Sequence, residues 1–206
     1  PGGARAFGRG SRPRRPRRVL GARAAGTGGG GVGRGWLIDS QLAVRAVYAG
    51  LALAARHTER MELGTGVTNP LTRHPTVTAS SIAAISELSG GRAMLGVGAG
   101  DSAVYGIGAR PARMAEMEAV VSFWRAVLSG GEGEWEGRSY TLPHLAAPVK
   151  LYMAVSQPRM CALTAPRAAG ASVLGPSSPA VVARTRGGLS LGVREAGRSP
   201  HDATIS

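Results

Sequence analysis

A chain of 206 residues with 43% hydrophobic side chains is long enough for one packed domain, and its single cysteine, Cys161, excludes an internal disulfide and a thiolate metal cluster. The formal net charge of +13 invites a nucleic-acid reading, but nine arginines and no acid stand in residues 1–38, while residues 39–206 carry sixteen basic and twelve acidic side chains. The basic signal is thus confined to one arm, and no run of about 20 apolar residues exists to span a bilayer.

Residues 1–35 form a compositional island. "RGSRPRRPRR" is followed by "GTGGGGVGRG", a stretch too poor in apolar residues for a core and lacking the apolar segment of a secretory signal, so it is expected to be a disordered leader. From Trp36 onward apolar runs alternate with helical periods. "WLI" before Asp39 predicts a buried strand, and Val44, Val47, Tyr48, Leu51, Ala52 and Ala55 recur at helical spacing. "MELGTGV" predicts the next strand. Pro75 suits the first turn of a helix with Ile82, Ile85 and Leu88 on its apolar stripe, closed by Ser89, Gly90 and Gly91.

"RAMLGVGAG" is continuous in apolar character, as expected of a strand covered on both faces. Met117, Val120, Val121, Trp124, Val127 and Leu128 then mark an amphipathic helix. "GEWEGRSYTL" predicts a small excursion, "VKLYMAV" a fourth strand and "ASVLG" a fifth. A final helix is expected from Pro179 to Ala196, and "ATIS" begins another strand.

Repeated alternation of strand and helix predicts parallel strands joined by right-handed crossovers. A doubly wound open sheet and a (β/α)₈ barrel both satisfy it. A barrel takes about 250 residues, so a barrel read from residues 36–206 is expected to be partial, incomplete at both ends.

Gly98, Gly100 and Ala103 match a loose dinucleotide fingerprint, but "YGIGARPAR" separates them from the next long helix and no acid caps a following strand, so the Rossmann reading fails. What remains is a set of polar, glycine-rich strand ends: Asp39 to Gln41, Gly66 to Asn69, Gly98 to Ser102, Val155 to Pro158 and Leu174 to Ser177. In parallel α/β folds such ends share the ligand-binding face. Each taken alone has a plainer explanation in turns and helix caps. Arg73 and His74 read as helix-entry surface groups, and Cys161 as a small packed side chain. No metal-ligand spacing, paired carboxylates or nucleophile elbow stands out, so a cofactor is expected to carry any chemistry.

"LGTGVTNPLTRHPTVTA", "ELSGGRAMLGVGAGDSAVYGIGARPAR" and "REAGRSP", in that order and spacing, resemble the luciferase-like monooxygenase superfamily, most closely its branch of F420-dependent methylenetetrahydromethanopterin reductase-like proteins. The resemblance covers roughly residues 36–206 and is strongest from Met61 to Arg113. It implies a partial TIM barrel whose strand-end loops hold FMN or F420 for hydride transfer to or from an organic substrate, with oxygen chemistry in some flavin members. It also implies a strand bulge with a non-proline cis peptide at Gly66 and Val67, flanked by Thr68 and Asn69, behind the cofactor ring. By the same resemblance Asp39 would lie near substrate and ring as the catalytic group, and Gly98, Ala99, Gly100, Asp101 and Ser102 would border the cofactor. Ser156, Gly175, Pro176 and Ser177 would reach its ring edge or phosphate. Two places depart from the family pattern, Ser156-Gln157-Pro158 for Ser-Gly-Pro and Gly170-Ala171 for Asp-Gly. The expected partner is a small organic substrate in a cytoplasmic setting, with self-association allowed and membrane or nucleic-acid binding disfavoured; the rival is noncatalytic nucleic-acid binding through the arginine-rich arm, or an inactive truncated remnant.

Overall fold

The computed structural model describes residues 22–27, 31–155, 158–173, 178–195, 197 and 204–205. The elements run β1 (Ala22–Thr27), β2 (Gly31–Leu37), α1 (Val47–His57), β3 (Glu62–Thr65), α2 (Pro75–Ser89), β4 (Ala93–Val97), α3 (Ser102–Tyr105), α4 (Met114–Leu128), β5 (Gly133–Trp135), β6 (Arg138–Tyr140), β7 (Lys150–Val155), α5 (Pro158–Arg167), β8 (Gly170–Val173), α6 (Pro179–Glu195) and β9 (Thr204–Ile205). Strands pair in the order β1-β2-β3-β4-β7-β8-β9, and β5 and β6 form a separate hairpin. Within the seven-stranded sheet every pair from β2 to β9 is parallel, while β1 runs antiparallel to β2.

The two faces of the sheet decide between the competing architectures. Leu37, Leu63, Leu95, Val97, Leu151, Met153 and Ala171 point outward into one core with Val47, Leu51, Ile82, Val120, Trp124 and Leu163 of the helices. On the opposite face the register aligns Trp36 with Gly64, Gly64 with Met94, and Gly96 with Tyr152, and there Trp36, Met94 and Tyr152 make a second, smaller cluster. Helices on one face and a side-chain-filled inner face are the layering of a barrel segment, not of a doubly wound sheet. Among the described residues this sheet is open, with β1 and β9 as its edges.

Local chemistry sets the helix ends. Pro75 opens α2, His74 Nδ1 accepts the Thr76 amide at 3.3 Å, and Gly90 closes the helix at φ 66°, a left-handed position that suits glycine. At α4 the Glu116 carboxylate accepts the Arg113 amide at 2.6 Å; the Arg110 guanidinium, then that amide, bring Glu116 down to about 2. Trp124, within the predicted apolar stripe, donates its indole N–H to the Pro75 carbonyl at 2.8 Å and so ties α4 to the start of α2. The expected excursion is the β5–β6 hairpin, turning through Glu136 (φ 51°) and Gly137 (φ 72°). Phe123 packs on Trp135 and Tyr140 to fix it.

Two features depart from the sequence-based expectation. Part of the segment assigned to a disordered leader is strand, β1 and the first residues of β2, because backbone pairing at a sheet edge does not require an apolar side-chain pattern; residues 1–21 lie outside the described residues. Helix α5 was not expected, since Pro166 inside it breaks the usual signal. Among the described residues no helix is long and apolar enough to cross a membrane.

Candidate functional site

The carboxyl ends of β2, β3 and β4 meet through side chains that follow them directly. At the end of β3 the chain leaves its ladder: the Gly66 amide still donates to Leu37 O of β2 at 2.7 Å, the Gly66–Val67 peptide is cis, and Thr68 then rejoins β4 by donating to Gly96 O and accepting from Gly98 N, both at 2.8 Å. The bend would orphan the Gly96 amide. Thr65 compensates, its hydroxyl accepting from Gly96 N at 3.1 Å and donating to Gly96 O at 2.7 Å.

Glycine is required under this bend by contact. A Cβ on Gly66 would lie 2.6 Å from the Trp36 Cβ, and one on Gly96 would lie 2.1 Å from Thr65 O. Gly64 faces the Trp36 ring at 2.8 Å and Met94 O at 2.9 Å. Trp36 thus fills the inner face beneath the strand ends, in edge contact with Tyr152 at 5.3 Å between centroids, its buried indole nitrogen without a partner among the described residues.

Asp39 is buried, and both carboxylate oxygens are engaged. Arg73 grips it with two nitrogens, Nη1 to Oδ2 at 2.5 Å and Nη2 to Oδ1 at 3.0 Å, and Thr68 donates its hydroxyl to Oδ2 at 2.6 Å. The Asp39 side chain retains 2% of its exposure and that of Arg73 retains 23%. The bonds to Asp39 push the Arg73 guanidinium above its ordinary value, against the effect of burial. The guanidinium also stacks over the Tyr48 ring at 5.3 Å. Burial, then the Asp39 charge, pushes the Tyr48 phenol up to about 12, with Arg73 opposing. The Tyr48 hydroxyl faces those of Thr78 and Thr68 but meets neither at hydrogen-bonding geometry, and the buried Tyr48, Thr72 and Thr78 hydroxyls have no partner among the described residues.

Neighbouring contacts complete the junction. Ser40 and Ser102 hydroxyls lie 3.0 Å apart, and the Gln41 amide donates to Ala103 O at 2.8 Å. Asn69 Oδ1 accepts the Leu71 and Thr72 amides at 3.0 Å each, turning the chain toward Pro75. A Cβ on Gly98 would sit 3.0 Å from Val67 Cγ2, and Gly100, at φ 98°, lies against Val104 and Asn69. Ala99 O accepts the Ala112 amide at 2.8 Å, bringing the loop back to the sheet.

The structure therefore brings together Asp39, Gly66, Val67, Thr68, Asn69, Gly98, Ala99, Gly100, Asp101 and Ser102. Asp39, Thr68, Asn69 and Gly98 are buried; Gly66, Val67, Ala99 and Gly100 form a half-buried strip; Asp101 and Ser102 are exposed. Ser156, Gly175, Pro176 and Ser177 lie outside the described residues. Sequence reading missed Arg73, Tyr48 and Trp36. Only His74 behaves as the helix-entry group expected of the Arg-His pair, while Arg73 turns inward. Its partner lies 34 positions away, beyond any local spacing signal. A separate groove of about 430 Å³, lined by Ser122, Arg125, Ala126, Ser129, Pro166 and Arg167, lies between α4 and α5 and shares no residue with the strand ends.

Comparison with known proteins places these observations. Residues 19–206 match the profile of the family described as luciferase-like monooxygenase. The chain is 32% identical over 170 residues to the 5,10-methylenetetrahydromethanopterin reductase of Methanolobus tindarius, covering 79% of this chain and 52% of that protein. The structure of the coenzyme F420-dependent tetrahydromethanopterin reductase from Methanopyrus kandleri superposes with a TM-score of 0.72 at 28% identity, covering 85% of this chain and 57% of that one. An F420-dependent secondary alcohol dehydrogenase bound to an F420-acetone adduct shares the fold, with a TM-score of 0.67 at 20% identity over 82% of this chain and 58% of that one. The chain spans about half the length of the curated relatives it matches.

Proposed function

The chain belongs to the luciferase-like monooxygenase family, and from that premise we propose an oxidoreductase that uses F420 or FMN to transfer hydride to or from a small organic substrate. The observation that carries this reading is the convergence of three strand-end loops, through Asp39–Thr68, Ser40–Ser102 and Gln41–Ala103, around one accessible strip. F420 is favoured over FMN by the relatives, since the 28%-identical structure is of an F420-dependent reductase.

The residues present fit a flat heterocycle. Within the half-buried strip Gly66, Val67, Ala99 and Gly100, the largest side chain is valine, so a ring can approach the backbone closely. The strip is backed by the buried polar groups Thr68, Asn69 and Asp39, the last paired with the partly buried Arg73. When bound, the cofactor supplies the hydride-carrying ring. The protein residues bind and orient. Val67 and Ala99 present small apolar surface, the exposed Asp101 meets solvent-facing groups, Ser102 ties its loop to Ser40, and Asp39 holds Thr68 in place. In the same proposal the loops carrying Ser156, Gly175, Pro176 and Ser177 contribute the remaining cofactor contacts. With both carboxylate oxygens engaged, Asp39 acts in this proposal by holding the strand ends. We place the protein in the cytoplasm, where a lone buried thiol such as Cys161 stays reduced.

Titration of the purified chain with F420 and, separately, FMN, followed by absorbance and fluorescence, tests the reading. Saturable binding of F420, or of FMN, is the expected result. Failure to bind either overturns it.

A further inference from the structure

We propose that Arg73 is a positioning residue that sets the strand-end strip through Asp39, an inference that rests on the oxidoreductase reading for its functional consequence but not for its geometry. Arg73 follows Asn69 in the loop before α2, and its bonds run to the carboxylate behind the half-buried strip. One face of its guanidinium rests on the Tyr48 ring from α1, and its two nitrogens occupy both oxygens of Asp39 after β2. Asp39 in turn accepts the Thr68 hydroxyl. Thr68 is the residue at which the chain, having left β3 through Gly66 and Val67, rejoins β4, its amide on Gly96 O and its carbonyl on Gly98 N. The sequence of contacts from Tyr48 to Arg73 to Asp39 to Thr68 therefore ends on the two backbone bonds that fix the strip relative to β4.

The chemistry of the pair makes this an electrostatic device and not a packing one. The Asp39 side chain keeps 2% of its exposure, so its carboxylate has little water to turn to, and Arg73 is the cation that compensates it. A buried carboxylate without its cation does not hold its place passively; it draws water or moves toward it. Thr68 is bonded to that carboxylate and would move with it. A planar fork matches the two oxygens, whereas an ammonium meets them as a point charge.

Hydrogen exchange of the full chain without cofactor tests the assignment directly, read at the Thr68 and Gly98 amides. In Arg73→Met both are expected to exchange roughly 10- to 100-fold faster, with the Leu63 amide, bonded to Arg92 O at 2.9 Å, changed far less. Adding Asp39→Asn to Arg73→Met removes the uncompensated charge, keeps an oxygen for the Thr68 hydroxyl and restores slower exchange. Lost packing on the Tyr48 ring would gain nothing from that second change. Arg73→Lys gives an intermediate rate, and it carries the test if Arg73→Met does not fold. Unchanged exchange in the single variants, or no recovery in the double variant, overturns the proposal. F420 and FMN titrations of the same proteins separate the two claims. Weakened binding in Arg73→Met that recovers in the double variant supports the functional consequence. A wild-type chain that binds neither cofactor sinks the oxidoreductase reading while the exchange rates still decide what Arg73 does.

Discussion

At opposite ends of the sheet, Glu62 and Asp39 are each held by an arginine. Glu62, at the amino end of β3, accepts Arg34 Nε and Lys150 Nζ, both at 2.7 Å, and keeps a quarter of its side-chain exposure. Asp39, after the carboxyl end of β2, has a single cation and a threonine hydroxyl, and is closed from solvent. Glu62 has more charge around it, and Asp39 has less water. Screening weakens the first arrangement and spares the second. At the amino end the ions decorate β2, β3 and β7, which the ladder running through β4 already holds in register. At the carboxyl end the ladder has been interrupted, and side chains take over the work of register.

The sharpest way to break the comparison is Arg73→Met, expected to lower unfolding stability by about 3 kcal/mol in urea denaturation because it strands a buried carboxylate. A loss no larger than that of a surface pair would show that the two sites are alike. Tyr48 gives a pH-dependent version of the same contrast. Its phenol is raised to about 12 in the fold against about 10 unfolded, so the neutral form is favoured. Its contribution is complete below pH 10 and is lost as pH rises through 12, on the order of 2 kcal/mol. Tyr48→Phe should flatten the stability profile in that window, and a profile unchanged by the substitution would count against the buried environment. The smallest effect belongs to Glu62→Gln, under about 1 kcal/mol at neutral pH and shrinking further in salt. Burial opposes ionisation of Glu62, but hydrogen bonds from Lys150 and Arg34 overcome it and hold the carboxyl below its ordinary value. The benefit is therefore present above the usual glutamate range and is lost as pH falls through the lower, folded-state value. Denaturation at two salt concentrations checks both statements.

The sequence carried the outer core plainly and the inner face poorly. Strands such as "RAMLGV" and the stripe from Met117 to Leu128 advertise themselves because every outward residue meets helices. The strand-end glycines at 66, 98 and 100 were visible as punctuation. The residues they serve were not, because Trp36, Gly64 and Gly96 come together only when three strands are set in register. Arg73 was hidden for a similar reason. A guanidinium just before a helix reads as surface unless the acid 34 positions upstream is known to wait for it. Family resemblance singled out Asp39, but its enclosure by Thr68 and Arg73 is a fact of tertiary structure.

The glycines beneath the strip bear on how such a site can diversify. Shrinking Trp36 would not free them, because a Cβ on Gly66 meets the Trp36 Cβ, one on Gly96 meets the Thr65 carbonyl and one on Gly64 meets the Met94 carbonyl. The atoms over Gly96 and Gly64 are backbone and survive any neighbouring substitution, and the Trp36 Cβ over Gly66 is lost only if Trp36 itself becomes glycine. The floor is thus closed to gradual change. Diversification is left to the rim, where Val67 and Ala99 are half-buried and Asp101 and Ser102 are exposed, and where a descendant could exchange side chains one at a time without disturbing what lies below.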